Sequence, residues 1–511
     1  MKKTINILLF AVLLAGCTDL DIAPNSQLTD QSAFKKKSEF VNGLAGVYTS
    51  LWCWDEVVYK MGGSTDEMVF PARGADWKGD LQPLYLHTFT SSNGEISGIY
   101  SELSNIIAVS NTYIDMIDAS SFKNDQDVVV MKNEARFLRA FGYYLMCDMF
   151  GNVPLVTSGT YDPANLPKQA TRAEIYNFIK TELTELKSSL PATNTYGRVD
   201  RYAAEALLAK LYLNSGIYLG SQSSDDLNQV VSLTTDIMTN SNYSLDPSFK
   251  HVFTYNNDQN NKENIFVMVC GSNTKAQNLS YGFSFYLLSG KFGSSLGDGW
   301  CGCSATPSFY RLFDANDVRT QQWIVGPQYE QDGITPIMAT DDKGVTHQLT
   351  FAIDYTNSSD PVNNADHWDG ARGGKYVMDG LVGYTGNSSL ENDEPILRYA
   401  DVMMMKAEAL WRLDSKNSAN SEALALVNRV RTRDGNNPVN KLTSLTDETF
   451  LAERGREFAW EGWRRNDQIR FGTFIKAKDF KTSVSDSFRN LFPIPLVQTQ
   501  SNPNLKQNTG Y

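Results

Sequence analysis

The chain has 511 residues, of which 41% are hydrophobic and 20% are charged, and its formal net charge is −12. A single simple core seldom organises so long a chain, so we expect two lobes or one large composite domain. The negative charge argues against a surface that binds nucleic acid or anionic lipid.

The amino terminus has the features of an export signal. A short basic segment precedes an apolar run that ends at Ala15 and is too short to cross a bilayer as a helix. The tetrapeptide Leu14-Ala15-Gly16-Cys17 has the pattern of a lipobox. We therefore predict a signal peptide at residues 1–16 and a tether at 17–30, held in the lipid bilayer by acyl chains on Cys17. The alternative is an ordinary signal peptide followed by a chance cysteine.

The six cysteines do not indicate a disulfide framework, because an odd number remains once Cys17 is acylated. Cys301 and Cys303 are separated by one glycine, which suits a vicinal disulfide or a buried turn. None of the four histidines is near Cys301 in the sequence, so a zinc site is not expected. We predict neither a metal nor a cofactor.

Apolar residues recur at helical spacing over much of the chain. Thr171 and Glu174 form a capping-box pattern at the start of one helix, and Pro191 can end it. Asp200 can cap the next helix and Gly216 can end it. The predicted helices are 38–52, 93–117, 127–149, 171–190, 201–215, 226–239, 395–413, 420–433 and 447–462.

Alanine-rich stretches at 203–209 and 400–409 would let helix axes approach closely, as in tetratricopeptide-like helical pairs. Between the helical blocks, residues 240–394 are rich in Gly, Asn, Asp, Ser and aromatics, and only 264–269 and 281–288 resemble strands. We predict a mainly α fold, a tetratricopeptide-like helical-pair scaffold with long irregular loops and a few short β-strands. The predicted regions are an N-terminal helical region at 31–239, a loop-rich insert at 240–394 and a C-terminal helical region at 395–511.

Several short motifs occur in a fixed order along the chain. They include Ser64-Thr-Asp-Glu67, Arg73-Gly-Ala-Asp-Trp77, Glu134-Ala-Arg-Phe-Leu-Arg-Ala140, Gly197-Arg-Val-Asp-Arg-Tyr-Ala-Ala204, Glu453-Arg-Gly-Arg-Glu-Phe458 and Phe492-Pro-Ile-Pro495. Each motif alone is weak, but their joint order is specific. With them, the chain resembles the SusD-like (RagB/SusD) lipoproteins of Bacteroidetes from end to end.

The resemblance implies a location and a function. Such proteins are lipid-anchored in the outer membrane, face the cell exterior, bind poly- or oligosaccharide and cap a TonB-dependent barrel, the SusC-like transporter. The resemblance points to binding and not to an enzyme. Charged residues in the shared motifs are interpreted as structural, with ion pairs along the helix at Glu134, Arg136 and Arg139. We expect networks between helices for Arg456, Glu457, Arg464 and Arg465.

Sugar recognition needs flat aromatic faces for stacking and planar polar groups for paired hydroxyls. Three loops supply both, at 66–77, 297–303 and 367–376, and we predict that they converge. On the first loop, Arg73 and Asp76 could instead pair with each other and shape the backbone. The predicted glycan-binding residues are Asp66, Arg73, Asp76, Trp77, Trp300, Cys301, Trp368, Arg372 and Tyr376.

Hydrolases and a peptide-uptake lipoprotein are the alternatives. The sequence Gly-Ser-Ser-Leu-Gly at 293–297 matches a nucleophile elbow, but the residues after it do not suit the helix that an elbow requires. A glycosidase needs two facing carboxylates. Those available are Asp66, Glu67, Asp76 and Asp369. Helical repeats commonly bind protein, and some members of the family are thought to serve peptides.

Overall fold

A computed structural model of the protein describes residues 34–73, 77–160, 162–259, 261–271, 302–340, 344–356, 359–376 and 391–511, with Lys275, Leu288 and Lys291 as single positions. Several predictions fall outside these residues: the signal peptide, Cys17, Asp76, Trp300, Cys301, the elbow at 293–297 and all of the predicted strand 281–288 except Leu288.

Helices dominate the regular structure, which confirms the predicted mainly α fold. In the first half of the chain they are α1 (Lys37–Thr49), α2 (Trp54–Gly62), α3 (Leu81–Leu86), α4 (Gly94–Ala119), α5 (Gln126–Met149), α6 (Arg172–Ser189), α7 (Arg201–Leu213), α8 (Ser215–Leu219) and α9 (Ser224–Asn240). In the second half they are α10 (Pro307–Tyr310), α11 (Tyr399–Leu413), α12 (Ser421–Thr432), α13 (Asp447–Phe458), α14 (Arg464–Arg470) and α15 (Leu496–Ser501).

The starts of the helices follow the capping chemistry of the sequence. The Thr171 hydroxyl accepts the backbone N–H of Glu174, and the Glu174 carboxylate accepts the N–H of Thr171, so the predicted capping box is present. Asp200 accepts the N–H of Ala203 at the start of α7. The predicted end at Gly216 is wrong, because α7 stops at Leu213 and Gly216 lies inside α8.

The long helices pack in sequence order, each against the next, from α4 through α5, α6, α7 and α9. Helix α9 then packs against α11, and α11 against α12. The contact between α9 and α11 therefore joins the two helical blocks across the insert. The predicted alanines of α7 and α11 are buried at these contacts, where small side chains allow close approach.

The strands are short and pair antiparallel in twos. They are β1 (Val153–Pro154) with β2 (Gln169–Ala170), β3 (Asn264–Met268) with β10 (Glu394–Arg398), β4 (Trp323–Ile324) with β9 (Arg372–Gly373), β5 (Gly326–Pro327) with β8 (Thr350–Phe351), and β6 (Met338–Thr340) with β7 (Thr346–Gln348). The insert also has a small apolar core of its own, which contains Ile324, Ile337, Leu349 and Phe351.

The helix predicted at 395–413 begins later than expected. Residues Glu394–Arg398 form β10, which pairs with β3 from Glu394 opposite Met268 to Arg398 opposite Asn264, with irregular register on either side of Leu397. All five β10 residues are buried. The spacing of their apolar residues is typical of a helix. Their backbone groups nevertheless pair with β3, a strand far away in the sequence.

Buried ion pairs tie the C-terminal helices to the insert. We call Arg319, Arg398, Arg433, Glu263 and Glu457 the arginine–glutamate network. Glu457 on α13 lies 3.1 Å from Arg319 and 3.2 Å from Arg398, and it also pairs with Arg433. Glu263 pairs with Arg433 at 2.6 Å and with Arg398. The prediction placed Glu457 in a network between helices, and the structure shows a network that also includes Arg398 on strand β10. The other predicted charges pair as Arg456 with Glu453, Arg464 with Asp66 and Arg465 with Asp148.

The charges near Glu134 also have a structural role, but the predicted pairing along one helix is wrong. Glu134 on α5 accepts from Arg198 Nε at 3.0 Å. Arg136 and Arg139 pair with Glu182 on α6 at 2.8 and 2.7 Å. These side chains therefore bridge neighbouring elements. Among the described residues, no helix combines the length and the hydrophobicity that a membrane span requires.

Candidate functional site

The predicted loops meet in the structure. Val69 and Ser304 exchange backbone hydrogen bonds of 3.0 Å in an antiparallel bridge. Ala305 forms a second bridge with Ala371, and its N–H donates to that carbonyl at 2.9 Å. The first and third predicted loops are therefore joined through Ser304 and Ala305, which directly follow the second predicted loop, and of that loop the structure describes only residues 302 and 303. We call residues 64–73, 77, 302–306, 352–355 and 366–373 the loop cluster.

Arg73 is buried inside the loop cluster and does not face solvent. Its guanidinium donates to the backbone carbonyls of Asp366 and Asp369, the latter at 3.2 Å, and to the Ser304 hydroxyl at 3.3 Å. These three acceptors belong to the two other loops. Arg73 therefore joins the loops to one another, and its burial keeps the guanidinium away from solvent.

Arg372 is also fully buried, at the start of β9. It donates to the carbonyls of His367 at 2.7 Å, Asp369 at 2.8 Å and Gly370 at 3.2 Å. Its guanidinium lies over the Phe351 ring, 5.0 Å from the centroid. The prediction that Arg73 and Arg372 offer their guanidinium groups to sugar is thus not what the structure shows. Irregular backbone leaves carbonyls without strand or helix partners, and the two arginines satisfy them.

The described carboxylates of these loops are paired or buried. Asp66 forms a two-point pair with Arg464, with both N–O distances 2.8 Å. Glu67 is buried and accepts the N–H of Trp460 at 3.0 Å, and burial raises its pKa to about 8. Asp369 is buried as well, and burial raises its pKa. Within the described part of the loops, no two of these carboxylates face each other across an open cleft, as a glycosidase requires.

Two tryptophans of the loop cluster remain partly exposed. The Trp77 ring packs on Phe70 with centroids 5.5 Å apart. A Cβ added at Gly302 would lie 2.6 Å from the same ring, so the glycine makes room for it. Trp368 packs on the small apolar core of the insert, with its centroid 5.0 Å from that of His347. Both rings are therefore held in place by packing, and part of each residue is exposed.

The structure places Tyr376 elsewhere. Its ring is buried against Phe253, with centroids 5.5 Å apart, and burial raises its pKa. It lines a cleft of about 680 Å³ whose walls come from residues 247–250, 318–328, 374–376 and 433–436, with Lys291. Sequence reasoning missed this cleft because its walls come from separate segments, none of which carries a motif.

The protein is thus a helical scaffold that carries partly exposed aromatic side chains on loops, and the hydrogen bonds of Arg73 and Arg372 hold these loops together. Residues 236–511 match the SusD family, and residues 24–213 match a family described as starch-binding associating with outer membrane. Because the first match covers more than half of the chain, the protein belongs to the SusD family. Proteins of this family bind carbohydrate and are not enzymes.

Curated relatives cover the whole chain. It is 26% identical to the starch-binding protein SusD of Bacteroides thetaiotaomicron, across 100% of this chain and 99% of that protein. It is 25% identical to SusD-like protein P2 of Formosa agariphila, across 100% of both chains.

Solved structures share the fold. A laminarin-binding SusD-like protein superposes with a TM-score of 0.73 at 20% identity, covering 94% of this chain and 100% of that one. Surface glycan-binding protein A from Bacteroides uniformis gives a TM-score of 0.73 at 18% identity, covering 93% and 99%.

Proposed function

We propose that this chain is a surface lipoprotein that captures a poly- or oligosaccharide and delivers it to a TonB-dependent, SusC-like transporter in the outer membrane. The observation that carries the proposal is the loop cluster, where Trp77 and Trp368 are half-buried on loops that Arg73 and Arg372 fasten together. The named relatives that bind starch and laminarin support a glycan as the ligand.

The physical reason is preorganisation. A sugar ring presents an apolar C–H face that packs on an aromatic ring. A ring already fixed by its neighbours loses little side-chain freedom when the sugar arrives, so less of the interaction energy is spent on ordering. Because the arginine bonds hold the backbone on either side of Trp368, and Phe70 packs against the Trp77 ring, we expect both rings to keep their places without bound ligand.

Binding of glycan is tested by calorimetry of the purified protein against starch and laminarin oligosaccharides. We expect Trp77→Ala and Trp368→Ala each to weaken binding of the recognised glycan about tenfold or more, which corresponds to about 1.4 kcal/mol per tenfold. Trp52→Ala is the matched control, because Trp52 is half-buried on a groove between α1 and β3 that shares no residue with the loop cluster. Unchanged affinity in both loop variants would contradict the proposed site.

The anchor and the transporter are tested in a Bacteroidetes host. We expect labelled palmitate to be incorporated into the wild-type protein and not into Cys17→Ala. We also expect protease added outside intact cells to cleave the protein. The SusC-like partner should co-purify with the wild type after detergent extraction. Protein that carries no label, or that is shielded from protease, would contradict the proposed location.

A peptide-uptake role is the second candidate, favoured by one observation. The groove between α1 and β3, of about 320 Å³, is lined mainly by apolar side chains, and Val41, Tyr196 and Val269 on it are exposed. Such a surface suits apolar peptide side chains better than hydroxyls. Peptide binding that Trp52→Ala abolishes, with no glycan binding, would favour this role. Release of shorter oligosaccharides by the pure protein would instead indicate a hydrolase.

A further inference from the structure

The Trp368 ring has a polar neighbour on the insert. His347 lies in the middle of β7, where it pairs with Ala339 on β6. The centroid of its imidazole ring is 5.0 Å from that of Trp368, and the two ring planes meet at 65°. Two separate elements, the hairpin of β6 and β7 and the loop at 366–373, therefore bring these rings together.

His347 occupies a position that apolar packing does not explain. Side chains alternate along an extended segment, so Leu349 and Phe351 point to the same side as His347. Both are buried in the small apolar core of the insert, and so is Ala339, directly opposite His347. His347 itself is only partly buried, at the edge of this core. The core by itself therefore does not require a histidine here.

The hydrogen bond of the imidazole ring determines which nitrogen carries the proton. Nδ1 of His347 lies 3.2 Å from the backbone carbonyl oxygen of Gln348. A carbonyl oxygen can only accept, so Nδ1 is the nitrogen that bears hydrogen and donates. In the neutral ring, Nε2 then has a lone pair and can only accept.

This acceptor is available to a ligand. The side-chain contacts of His347 with other described residues are the bond to Gln348 and the ring contact with Trp368. Nε2 therefore has no hydrogen-bond partner within the described part of the chain. It is not one of the buried polar atoms in that condition, so it reaches solvent. Because Trp368 is partly exposed as well, an aromatic ring and a hydrogen-bond acceptor lie side by side at the surface of the insert.

We infer that His347 is a specificity-determining residue of the glycan site, and that its Nε2 accepts the hydroxyl of a sugar unit stacked on Trp368. The inference rests on the proposed glycan function. The apolar face of the sugar packs on the indole ring, and the hydroxyls at the edge of the sugar extend sideways toward the neighbouring imidazole. A hydroxyl that carries a methyl group has no proton to donate, so the site selects unsubstituted sugar units.

The test is calorimetry of the full protein with maltoheptaose and laminarihexaose. His347→Phe keeps an aromatic ring beside Trp368 and removes the acceptor, so we expect it to lose about fivefold in affinity, the effect of one hydrogen bond. His347→Gln restores an acceptor oxygen and should bind within about twofold of the wild type. His251→Phe, at a partly buried histidine outside the loop cluster, is the matched control and should bind as the wild type does.

The position of the proton can be measured without glycan. Nitrogen NMR of the protein labelled in histidine, in mildly alkaline buffer, should show a proton on Nδ1 of His347 and none on Nε2. The signals of His347 are identified by their loss in His347→Gln. A proton on Nε2 would overturn the inference whatever the affinities are. Wild-type affinity in His347→Phe would also overturn it, and equal losses in His347→Phe and His347→Gln would show that the residue acts only through packing.

The same measurements separate this inference from the proposed function. If glycan binding depends on Trp77 and Trp368 but is unchanged in His347→Phe, the role of His347 is refuted and the proposed function stands. If the wild type binds no glycan, the proposed function fails and the role of His347 fails with it. Binding that falls in Trp368→Ala and in His347→Phe, and is restored in His347→Gln, supports both.

Discussion

The arginine–glutamate network and the loop cluster both bury arginine, but they compensate its charge differently. In the network, Arg398 and Arg433 meet the carboxylates of Glu263 and Glu457. In the loop cluster, Arg73 and Arg372 meet mainly backbone carbonyls. The first arrangement joins helices and strands that already have their own backbone hydrogen bonds. The second supplies donors to irregular backbone that has too few.

This difference predicts different costs of disruption. A carboxylate removed from the network leaves several guanidinium charges buried with less compensation, which is expensive in a region of low polarity. An arginine removed from the loop cluster leaves neutral carbonyls, which half-exposed loops can offer to water. The network should therefore control global stability, and the loop cluster should control local order and ligand binding.

The largest effect is expected for Glu457→Gln. Burial alone would raise the pKa of Glu457, but Arg433, Arg398 and Arg319 outweigh burial and lower it, so the residue is charged in the folded protein. Its loss should reduce the free energy of unfolding by about 3–5 kcal/mol, measured by urea denaturation. Glu448→Gln, on the exposed face of the same helix, is the matched control and should change little. Equal stability of the two variants would contradict the proposal that the arginine–glutamate network controls global stability.

A smaller effect is expected for Arg372→Met, which keeps much of the side-chain volume but removes the donors to three carbonyls. We expect a loss of about 2–3 kcal/mol and faster proteolysis near residues 366–370. Glycan affinity should also fall, since the backbone under Trp368 loses its support. The exposed Arg311, which pairs with Asp354, provides the control Arg311→Met, with no change in the urea midpoint expected. A stable Arg372→Met whose affinity alone falls would instead indicate direct sugar contact.

Glu67 should affect the pH dependence of stability in the opposite direction from Glu457, because the pKa of Glu67 is raised and that of Glu457 is lowered. Burial raises the pKa of Glu67 to about 8, so the folded state holds a proton that the unfolded state releases above about pH 4.5. This contribution is therefore lost as pH rises from about 4.5 to 8. Relative to Glu67→Gln, the wild type should lose stability steadily as the pH is raised through that window in urea titrations. A difference that does not change with pH would show that Glu67 is ionised when folded.

The smallest effect is expected for Tyr355→Phe, which removes a hydroxyl bonded to the Ser304 hydroxyl within the loop cluster. Ser304 also accepts from Arg73, so one partner remains. We expect a loss of about 1 kcal/mol in urea denaturation and little change in glycan affinity. Ser304→Ala, which removes the shared hydroxyl itself, should cost more. If Tyr355→Phe lost more stability than Ser304→Ala, the Tyr355 hydroxyl would be the more important member of this hydrogen-bonded group.

Much of the helical scaffold could be predicted because its signals are local. The helix at 172–189 follows from Thr171, Glu174 and the apolar residues after them, all within a few turns. The arginines of the loops show the limit of such reasoning. An arginine beside Asp and Trp suits sugar recognition equally well whether it faces solvent or a carbonyl, and the sequence does not state which.

By itself, the sequence determined the mainly α fold, the order of the helices, the capping box at Thr171 and the likeness to one family, because helical periodicity and motifs are properties of neighbouring residues. Only the tertiary structure decided that Glu394–Arg398 is a strand, that Arg73 and Arg372 are internal fasteners, and that Tyr376 lines a cleft. Each depends on partners far away in the chain, and the burial and pairing that such partners impose override local preference.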